Sequence, residues 1–307
     1  MKTALVTGGC GFIGSEIVKA LDSRGYNIIV LDCMEPKEKL KTVDYVKGDV
    51  RDKELLEKVG KYADYIYHTA GILGTSLLMD RLQESYDINV TGSMNVFDLA
   101  SKTKATVINL GLIPTWKSPY MLTKNFIKEM GSLYNKHSGT DIKTVELTHA
   151  YGPGQSPYQA KAVPNFIIKA LTNKDMIVLG DPAKGFKYMD LIYASDAAEA
   201  LVRIAENDNI KDEILQLGCG DGIPVDRLAK KIAVMCNSKS SGIYEPMRAG
   251  EPDGREEDFT GADLSIWYKF FKDSPIKTSV EDGLKHTIDK YRNDLAEGKI
   301  EILRLKL

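Results

Sequence analysis

The chain is poor in the residues that build metal centres and disulfide frameworks. Its 307 residues include four cysteines (Cys10, Cys33, Cys219 and Cys236) and four histidines. The cysteines lack metal-ligand spacing and the histidines are scattered, so no metal is expected. A reducing cytoplasm is the expected compartment. Charge of one sign is also lacking, since 41 Lys and Arg balance 43 Asp and Glu for a net charge of −2. With no basic block and no acidic tail, neither nucleic acid nor an anionic membrane is expected as a partner. No apolar run approaches a membrane span, and no charged leader with an apolar stretch precedes a first strand that starts at residue 2. Internal repeats and low-complexity segments are absent. The hydrophobic fraction, 43%, is that of an ordinary globular protein. The length suits one large α/β unit or a core with a smaller second lobe.

What is present begins at once. Lys2 to Gly14 reads KTALVTGGCGFIG. A short run of β formers leads to Gly8, Gly11 and Gly14, with Gly9 beside the first. Apolar periodicity then resumes at Ile13, Ile17, Val18 and Leu21. That is strand, tight glycine turn and helix. Glycine lets the turn take φ > 0 and brings backbone close to a ligand. The helix N-terminus offers N–H groups to a phosphate. A second apolar run, Asn27 to Leu31, ends at Asp32, the distance downstream at which a carboxylate meets an adenosine ribose. The spacing, Gly-x-x-Gly-x-x-Gly, meets the dinucleotide fingerprint loosely. A carboxylate at Asp32 disfavours a ribose phosphate, which selects NAD over NADP.

Strand and helix alternate from there, with strands expected at 43–46, 64–68, 105–110 and 142–147. Helices are expected at 53–59, about 84–100 and 120–136. This rhythm predicts a parallel sheet covered on both faces by right-handed crossovers. The second half is less regular. Helices are expected at 163–171, 190–205, 224–234, about 262–270 and 280–295, and short strands at 176–178 and 214–217. Asp49 is placed to reach an adenine amino group, with Val50 against the ring, and Asp52 reads as the cap of the helix at 53–59. Thr69, Ala70 and Gly71, after the fourth strand, pass beneath the pyrophosphate and ribose.

Tyr120 and Lys124 form Tyr-x-x-x-Lys at a helix start, on one face. A lysine ammonium favours the phenolate and lowers the tyrosine pKa. Such a tyrosine removes a hydroxyl proton while hydride leaves the same carbon for a nicotinamide, and the lysine can also hold the nicotinamide ribose. A third group, a hydroxyl on the reacting oxygen, is expected near the end of the fifth strand. That place reads Asn109-Leu110-Gly111-Leu112 and has none. Thr115 is the preferred substitute, with Thr75 and Ser76 as alternatives. His149 is read as ending the sixth strand, as a contact to substrate phosphate or sugar or an acid–base group, with packing as the alternative. Lys184, Lys187 and Arg248, far apart in sequence, can together clamp a diphosphate. Tyr158 can stack on a base.

These residues resemble the extended short-chain dehydrogenase/reductase family, in particular its nucleotide-sugar epimerases and dehydratases. The resemblance covers nearly the whole chain. It rests on Thr7-Gly8-Gly9-Cys10-Gly11-Phe12-Ile13-Gly14, on Asp32, on Gly48-Asp49-Val50-Arg51-Asp52, on His68-Thr69-Ala70, on Asn89 with Gly92, and on Tyr120 with Lys124. Later stretches agree: Tyr151-Gly152-Pro153-Gly154-Gln155, Val163-Pro164-Asn165-Phe166, Phe186-x-Tyr188-Met189-Asp190 with Lys184 in place of arginine, and Arg248-x-Gly250-Glu251.

The resemblance implies a Rossmann-type doubly wound parallel sheet with a smaller C-terminal α/β substrate-binding domain. Residues 1–154, with 188–218 packing back, form the NAD-binding domain; residues 155–187 and 219–307 form the nucleotide-sugar domain. It implies NAD held by Gly8, Gly11, Phe12, Ile13, Gly14, Asp32, Cys33, Asp49, Val50, Thr69, Ala70, Gly71, Asn89, Leu110, Tyr120 and Lys124. It implies a nucleoside-diphosphate sugar met by Thr75, His149, Tyr158, Val163, Lys184, Lys187, Arg248 and Glu251. Oxidation at C4 of the sugar and a homodimer formed by helices 84–100 and 120–136 are also implied. The expected activity is 4-epimerisation through a 4-keto sugar. Departures from the family are Cys10 where alanine is usual, Glu146 where arginine is common, Leu110-Gly111 in place of the serine pair, and a short loop before Tyr120. The Thr-Asp-Glu signature of 4,6-dehydratases is absent, which counts against dehydration. A dehydratase of unusual type, a C4 dehydrogenase or reductase, a decarboxylase and a non-catalytic NAD-binding protein are the alternatives.

Overall fold

Short aliphatic runs become strands, and the amphipathic segments between them become helices. A computed structural model of the protein describes residues 1–74, 76–113, 118–159, 161–248, 251 and 259–301. In chain order the first elements are β1 (Thr3–Thr7), α1 (Phe12–Asp22), β2 (Asn27–Asp32), β3 (Val43–Lys47), α2 (Lys53–Gly60) and β4 (Tyr65–His68). A 3₁₀ turn (Ser76–Arg81), α3 (Leu82–Tyr86), a π turn (Asp87–Thr91) and α4 (Gly92–Thr103) follow, then β5 (Thr106–Gly111), α5 (Pro119–Ser138) and β6 (Asp141–Leu147). Next come β7 (His149–Tyr151), α6 (Ala162–Leu171), β8 (Met176–Leu179), β9 (Tyr188–Met189), β10 (Leu191–Tyr193), α7 (Ala194–Glu206) and β11 (Ile214–Leu217). The last are β12 (Ile223–Pro224), α8 (Val225–Met235), β13 (Gly242–Glu245), α9 (Ser265–Phe270) and α10 (Val280–Ala296).

These elements fall into two units. The first holds Met1–Leu147, Ala194–Leu217 and Asp263–Pro275. Its sheet has seven parallel strands in the order β11-β6-β5-β4-β1-β2-β3. Helices α2, α4 and α5 pack side by side in one layer, and α1 packs on α7 in another. Strand order reverses between β1 and β4, the switch point at which sheets of this kind take a ligand, at the carboxyl ends of the strands. The core between sheet and helices includes Leu5, Ile66, Phe97 and Val107, all fully buried.

Local chemistry sets the element ends. Ser118 caps α5, its side chain accepting from Met121 N at 3.2 Å, with Pro119 in the first turn. Gly139, at φ +59°, ends that helix in the left-handed conformation. Asp52 caps α2, accepting from Leu55 N at 3.0 Å, as its position predicts. Lys143 is buried, and its ammonium donates to the carbonyls of Ile204, Ala205 and Asn207 at 3.1, 3.2 and 2.8 Å. It thereby satisfies the carboxyl end of α7.

The second unit holds Thr148–Tyr193, Gly218–Ala262 and Ile276–Leu307. Among the described residues it contains three two-stranded pairs, β10-β7 and β13-β8 parallel and β12-β9 antiparallel. A core that includes Phe166, Ile167, Leu228, Ile232 and Leu284 joins α6, α8 and α10.

Three expectations are corrected. The helix expected from Asp190 begins at Ala194, because Leu191-Ile192-Tyr193 are β formers that pair with His149-Ala150-Tyr151. His149 does not end the sixth strand: β6 stops at Leu147, and His149 belongs to the β7–β10 pair. The single helix expected at 84–100 is broken. Gly92 N–H reaches the carbonyl of Asp87, five residues back, which makes a π turn around Asn89.

Candidate active site

The glycine turn after β1 is built by close packing. Gly8 sits at φ +74°, and a Cβ there would lie 2.6 Å from the backbone N of Ala70. A Cβ on Gly14 would lie 2.8 Å from both Gly9 Cα and Thr69 Oγ1. Both are positions where any side chain collides with backbone. Gly11 is the N-cap of α1 and brings no capping side chain to the first N–H groups of the helix. Phe12 and Ile13 form that first turn. Asp32, at the end of β2, is buried and ties the turn to the sheet. Its two oxygens accept from Cys10 N and Met34 N, each at 2.9 Å. Burial first, and then the Asp32 charge, push the Cys10 thiol up to about 12, so it stays protonated. Cys33 is exposed beside Asp32. Asp49 accepts from Arg51 N at 2.9 Å and from the Arg51 guanidinium at 3.0 and 2.6 Å, while Val50 is buried next to it. The Arg51 hydrogen bonds hold the Asp49 carboxyl below its ordinary value.

A buried polar row runs across the sheet at the switch point. Thr7, His68, Asn109 and Thr144 are register partners on β1, β4, β5 and β6. Thr7 Oγ1 lies 2.7 Å from His68 Nδ1, and Ser93 Oγ lies 2.9 Å from His68 Nε2. Ser93 Oγ donates to the carbonyl of Asn89 at 2.6 Å. Asn89 then grips Ile72, accepting its N–H at 2.8 Å and donating to its carbonyl at 3.0 Å. The same amide reaches Thr123 Oγ1 at 3.4 Å, and Thr123 donates to the carbonyl of Tyr120 at 2.9 Å. Thr69 Oγ1 donates to the carbonyls of Thr7 and Gly8 at 2.8 and 3.1 Å. Thr69, Ala70 and Gly71 thus stand against the glycine turn on one side and Asn89 on the other.

Tyr120 and Lys124 lie in the first two turns of α5. Lys124 is buried, and its ammonium donates to the carbonyl of Leu110 at 2.8 Å. The same nitrogen stands 5.8 Å from the centroid of the Tyr120 ring. Desolvation lowers Lys124 to about 8. It also raises Tyr120 above its ordinary value. The sequence leads one to expect the opposite for the tyrosine. The ammonium is directed to Leu110 rather than to the phenol, so burial decides the sign. No hydroxyl occurs from Asn109 to Ile113. A Cβ on Gly111 would face Thr144 and Glu146, at 3.1 and 3.3 Å, and Glu146 is itself paired with Lys128 at 3.1 Å. Thr115 and Thr75, the expected hydroxyl donors, lie outside the described residues, as does the side chain of Ser76.

In the second unit Asp190 is the organising group. It is fully buried and accepts from Cys219 N at 2.6 Å, Gly220 N at 3.1 Å and Ala262 N at 2.7 Å. Its own carbonyl accepts His149 N at 3.0 Å. His149 is exposed as a residue, but desolvation of its ring and then the charge of Lys161 lower its pKa, against the opposing pull of Asp190. Lys161 precedes α6; desolvation and then the charge of Arg248 lower it. Arg248 is exposed, and its guanidinium lies 3.8 Å from the mostly buried carboxylate of Glu251. Three of these groups, His149, Lys161 and Arg248, therefore share one electrostatic environment. Lys184 and Lys187 lie in the connection from β8 to β9, and Val163 is buried in the first turn of α6. Tyr158 accepts the Glu301 N–H at its hydroxyl at 2.9 Å. Gly250 lies outside the described residues. Among the described residues no group of His, Cys, Asp and Glu could hold a metal ion, and no helix is long and apolar enough to cross a membrane.

The model of the NAD dependent epimerase/dehydratase family matches residues 4–111 and 113–218. The chain belongs to this family. It is 28% identical, over 94% of its own length and 98% of the relative, to the provisionally named UDP-glucose 4-epimerase of Methanocaldococcus jannaschii. It is also 28% identical, over 95% of its length and 98% of the relative, to a UDP-N-acetyl-alpha-D-glucosaminuronate decarboxylase of Bacillus cytotoxicus. Among solved structures, an epimerase of Methanothermobacter thermautotrophicus superposes with a TM-score of 0.88 at 21% identity, over 97% of this chain and 94% of that one.

Within the NAD dependent epimerase/dehydratase fold, sequence reasoning missed Lys161, Asp190 as a hub, and the bonding of His68. The signal for His68 and Asn109 was legible, since polar residues inside aliphatic strands need partners. For Lys161 nothing in the sequence separates it from a surface lysine.

Proposed function

We propose that the protein is an NAD-dependent nucleotide-sugar 4-epimerase working through a transient 4-keto sugar. The observation that carries this reading is the Tyr120–Lys124 pair, with Lys124 anchored on Leu110 at the end of β5 in a unit that carries the glycine turn. The residues fit NAD. Gly8, Gly11, Phe12, Ile13 and Gly14 offer the N–H groups of a tight turn and helix start to a pyrophosphate, and the missing Cβ at Gly8 and Gly14 lets that turn close on Ala70 and Gly9. Asp32 and Cys33 take the adenosine ribose, Asp49 and Val50 the adenine, and Thr69, Ala70, Gly71 and Asn89 the floor. Leu110, Tyr120 and Lys124 take the nicotinamide end. When bound, NAD supplies the hydride acceptor and donor. The chain handles the proton: Tyr120 as phenolate takes it from the sugar O4 and as phenol returns it, and the Lys124 ammonium, held on the Leu110 carbonyl, favours the phenolate through its charge. Thr115 or Thr75 supplies the remaining hydroxyl.

The second unit binds the nucleoside-diphosphate sugar. Arg248, Lys184 and Lys187 hold the diphosphate, Lys161 and His149 extend the positive region, Tyr158 and Val163 meet the nucleoside, and Glu251 orients Arg248. This is the smaller, nucleotide-sugar-binding domain, and the unit with the seven-stranded sheet is the NAD-binding domain. The enzyme works in the cytoplasm. It is a homodimer. Leu122, Phe126 and Leu133 on α5, and Leu82 and Tyr86 on α3, are 45–57% exposed, an apolar face that a second copy covers. A Phe126→Glu variant is expected to run as a monomer in sedimentation; a monomeric wild type refutes the dimer.

One observation favours a second reading. The end of β5 offers Leu110, Gly111 and Leu112 where a hydroxyl is needed, and a decarboxylase is among the relatives at 28% identity. Product mass separates the readings with UDP-, GDP-, CDP- and dTDP-sugars as substrates. Epimerisation leaves the mass unchanged, dehydration removes water, oxidation removes two hydrogens, and decarboxylation removes carbon dioxide. Conversion of none of these sugars excludes the epimerase.

A further inference from the structure

The hydrogen bonds around His68 place a proton on Nε2, and burial leaves the ring neutral. The Asn89 carbonyl can only accept, so at 2.6 Å the single Ser93 hydroxyl proton points there. Ser93 Oγ must then accept from His68, at 2.9 Å, so Nε2 carries the ring proton. Nδ1 is left bare and takes the Thr7 hydroxyl proton at 2.7 Å. The ring is 1% exposed, and Thr7 and Ser93 are 0% and 1% exposed, so no water competes. Burial, followed by the nearby Lys124 charge, pushes His68 down to about 3 and keeps it neutral.

We propose that His68 is a positioning residue: an uncharged, Nε2-protonated pin that ties the π turn bearing Asn89 to the strand that ends in the glycine turn. The role rests on the NAD-binding reading above and adds a residue to it. Through Asn89 the pin sets the backbone of Ile72, which Asn89 grips at two points, and reaches Thr123, the neighbour of Lys124. Ser93 Oγ reaches back four residues to the Asn89 carbonyl, while the Asn89 side chain, within the π turn, faces Ile72. A charged ring would be a buried charge with no anion among its partners Thr7 and Ser93, in the field of the Lys124 ammonium. The pin works only as the neutral tautomer.

The test reads the tautomer and the cofactor affinity separately. Ring nitrogens are followed by ¹⁵N NMR in histidine-labelled full-length protein, with His68 assigned by the signal lost in His68→Gln. The expected spectrum shows a protonated Nε2 and a bare Nδ1, unchanged from pH 5 to 8. An Nδ1–H tautomer, or a ring that titrates in that range, overturns the proposal. NAD affinity is measured by calorimetry. His68→Gln keeps a donor toward Ser93 and is expected to stay within about threefold of wild type, whereas His68→Phe and Ser93→Ala are expected to weaken NAD about tenfold or more. Ser93→Ala carries this arm where His68→Phe does not fold. If every folded variant binds NAD as wild type does and only Tm falls, the role is structural and the positioning proposal fails while the cofactor reading stands. A wild type that binds no NAD defeats the cofactor reading and the positioning role together.

Discussion

The two units hold their candidate functional groups by different means. In the first, neutral hydrogen bonds and close backbone packing predominate: the glycine turn against Thr69 and Ala70, His68 between Thr7 and Ser93, Asn89 on Ile72, with the Asp32 carboxylate and the Lys124 ammonium each held on backbone groups. In the second, charge prevails. Lys161 feels Arg248, His149 feels Lys161, and one buried carboxylate, Asp190, gathers three backbone N–H groups. Like charges crowded together cost stability unless an anion offsets them. The first unit is therefore organised before any ligand arrives. On the proposed reading, the second gains further compensation, beyond Glu251, from an anionic ligand. Substitutions in the first should act through shape and be insensitive to salt; substitutions in the second should act through charge and follow ionic strength.

The largest effect is expected at Tyr120. Tyr120→Phe removes the group that handles the proton, and kcat should fall by about 10³-fold, with NAD affinity nearly unchanged. An unchanged kcat removes Tyr120 from the chemistry. Gly14→Ala comes next. Its Cβ would meet Gly9 Cα and Thr69 Oγ1 at 2.8 Å, so the turn must shift. NAD binding measured by calorimetry should weaken about 100-fold or more, equally at low and high salt. A mild effect would mean that the cradle is softer than its packing shows.

Most of the first unit was legible because its signals are local. Glycine spacing, the Asp32 position and the alternation of strand and helix each depend on a few adjacent residues. The Asp52 cap and the start of α5 at Ser118-Pro119 are of the same kind. The break in the helix at 87–91 was not legible, because its cause is Asn89 turning toward Ile72, seventeen positions away in sequence. Leu191-Ile192-Tyr193 read as part of a helix for a similar reason: only their pairing with His149-Ala150-Tyr151 makes them a strand. The charged groups of the second unit were the hardest. Arg248 drew notice through a motif, while Lys161 is one lysine among many until the fold brings it near Arg248. Tyr120 and Lys124 were found by spacing, but the direction of the tyrosine pKa was not, because burial is a property of the whole chain.

Lys161→Met sharpens the contrast from the other side. Removing one of two mutually repelling cations should raise KM for the nucleotide sugar about tenfold at low salt and clearly less at 0.5 M salt, where exposed charge is screened. kcat should hold. The folded protein without substrate should gain stability slightly, since Arg248 loses a like-charged neighbour. A KM change that is the same at both salt concentrations would show that Lys161 acts by shape, and the two units would then not differ in kind.

The smallest effect expected is a pH limb from Lys124, and it tests the ammonium beside Tyr120. Burial lowers Lys124 to about 8 from an ordinary value of 10.5. The unfolded chain therefore holds this proton more tightly than the folded one. Lys124 makes its full contribution to stability above the ordinary lysine pKa, and that contribution is lost as pH falls through about 8. Activity should run the other way, because only the ammonium can steady the oxygen of Tyr120. The rate should fall to about half its maximum near pH 8 and decline further above it, over the same interval in which Tm rises. Lys124→Met should abolish both trends at once. If the rate limb survives in that variant, the titrating group lies elsewhere, and Lys124 is not the ammonium that the chemistry uses.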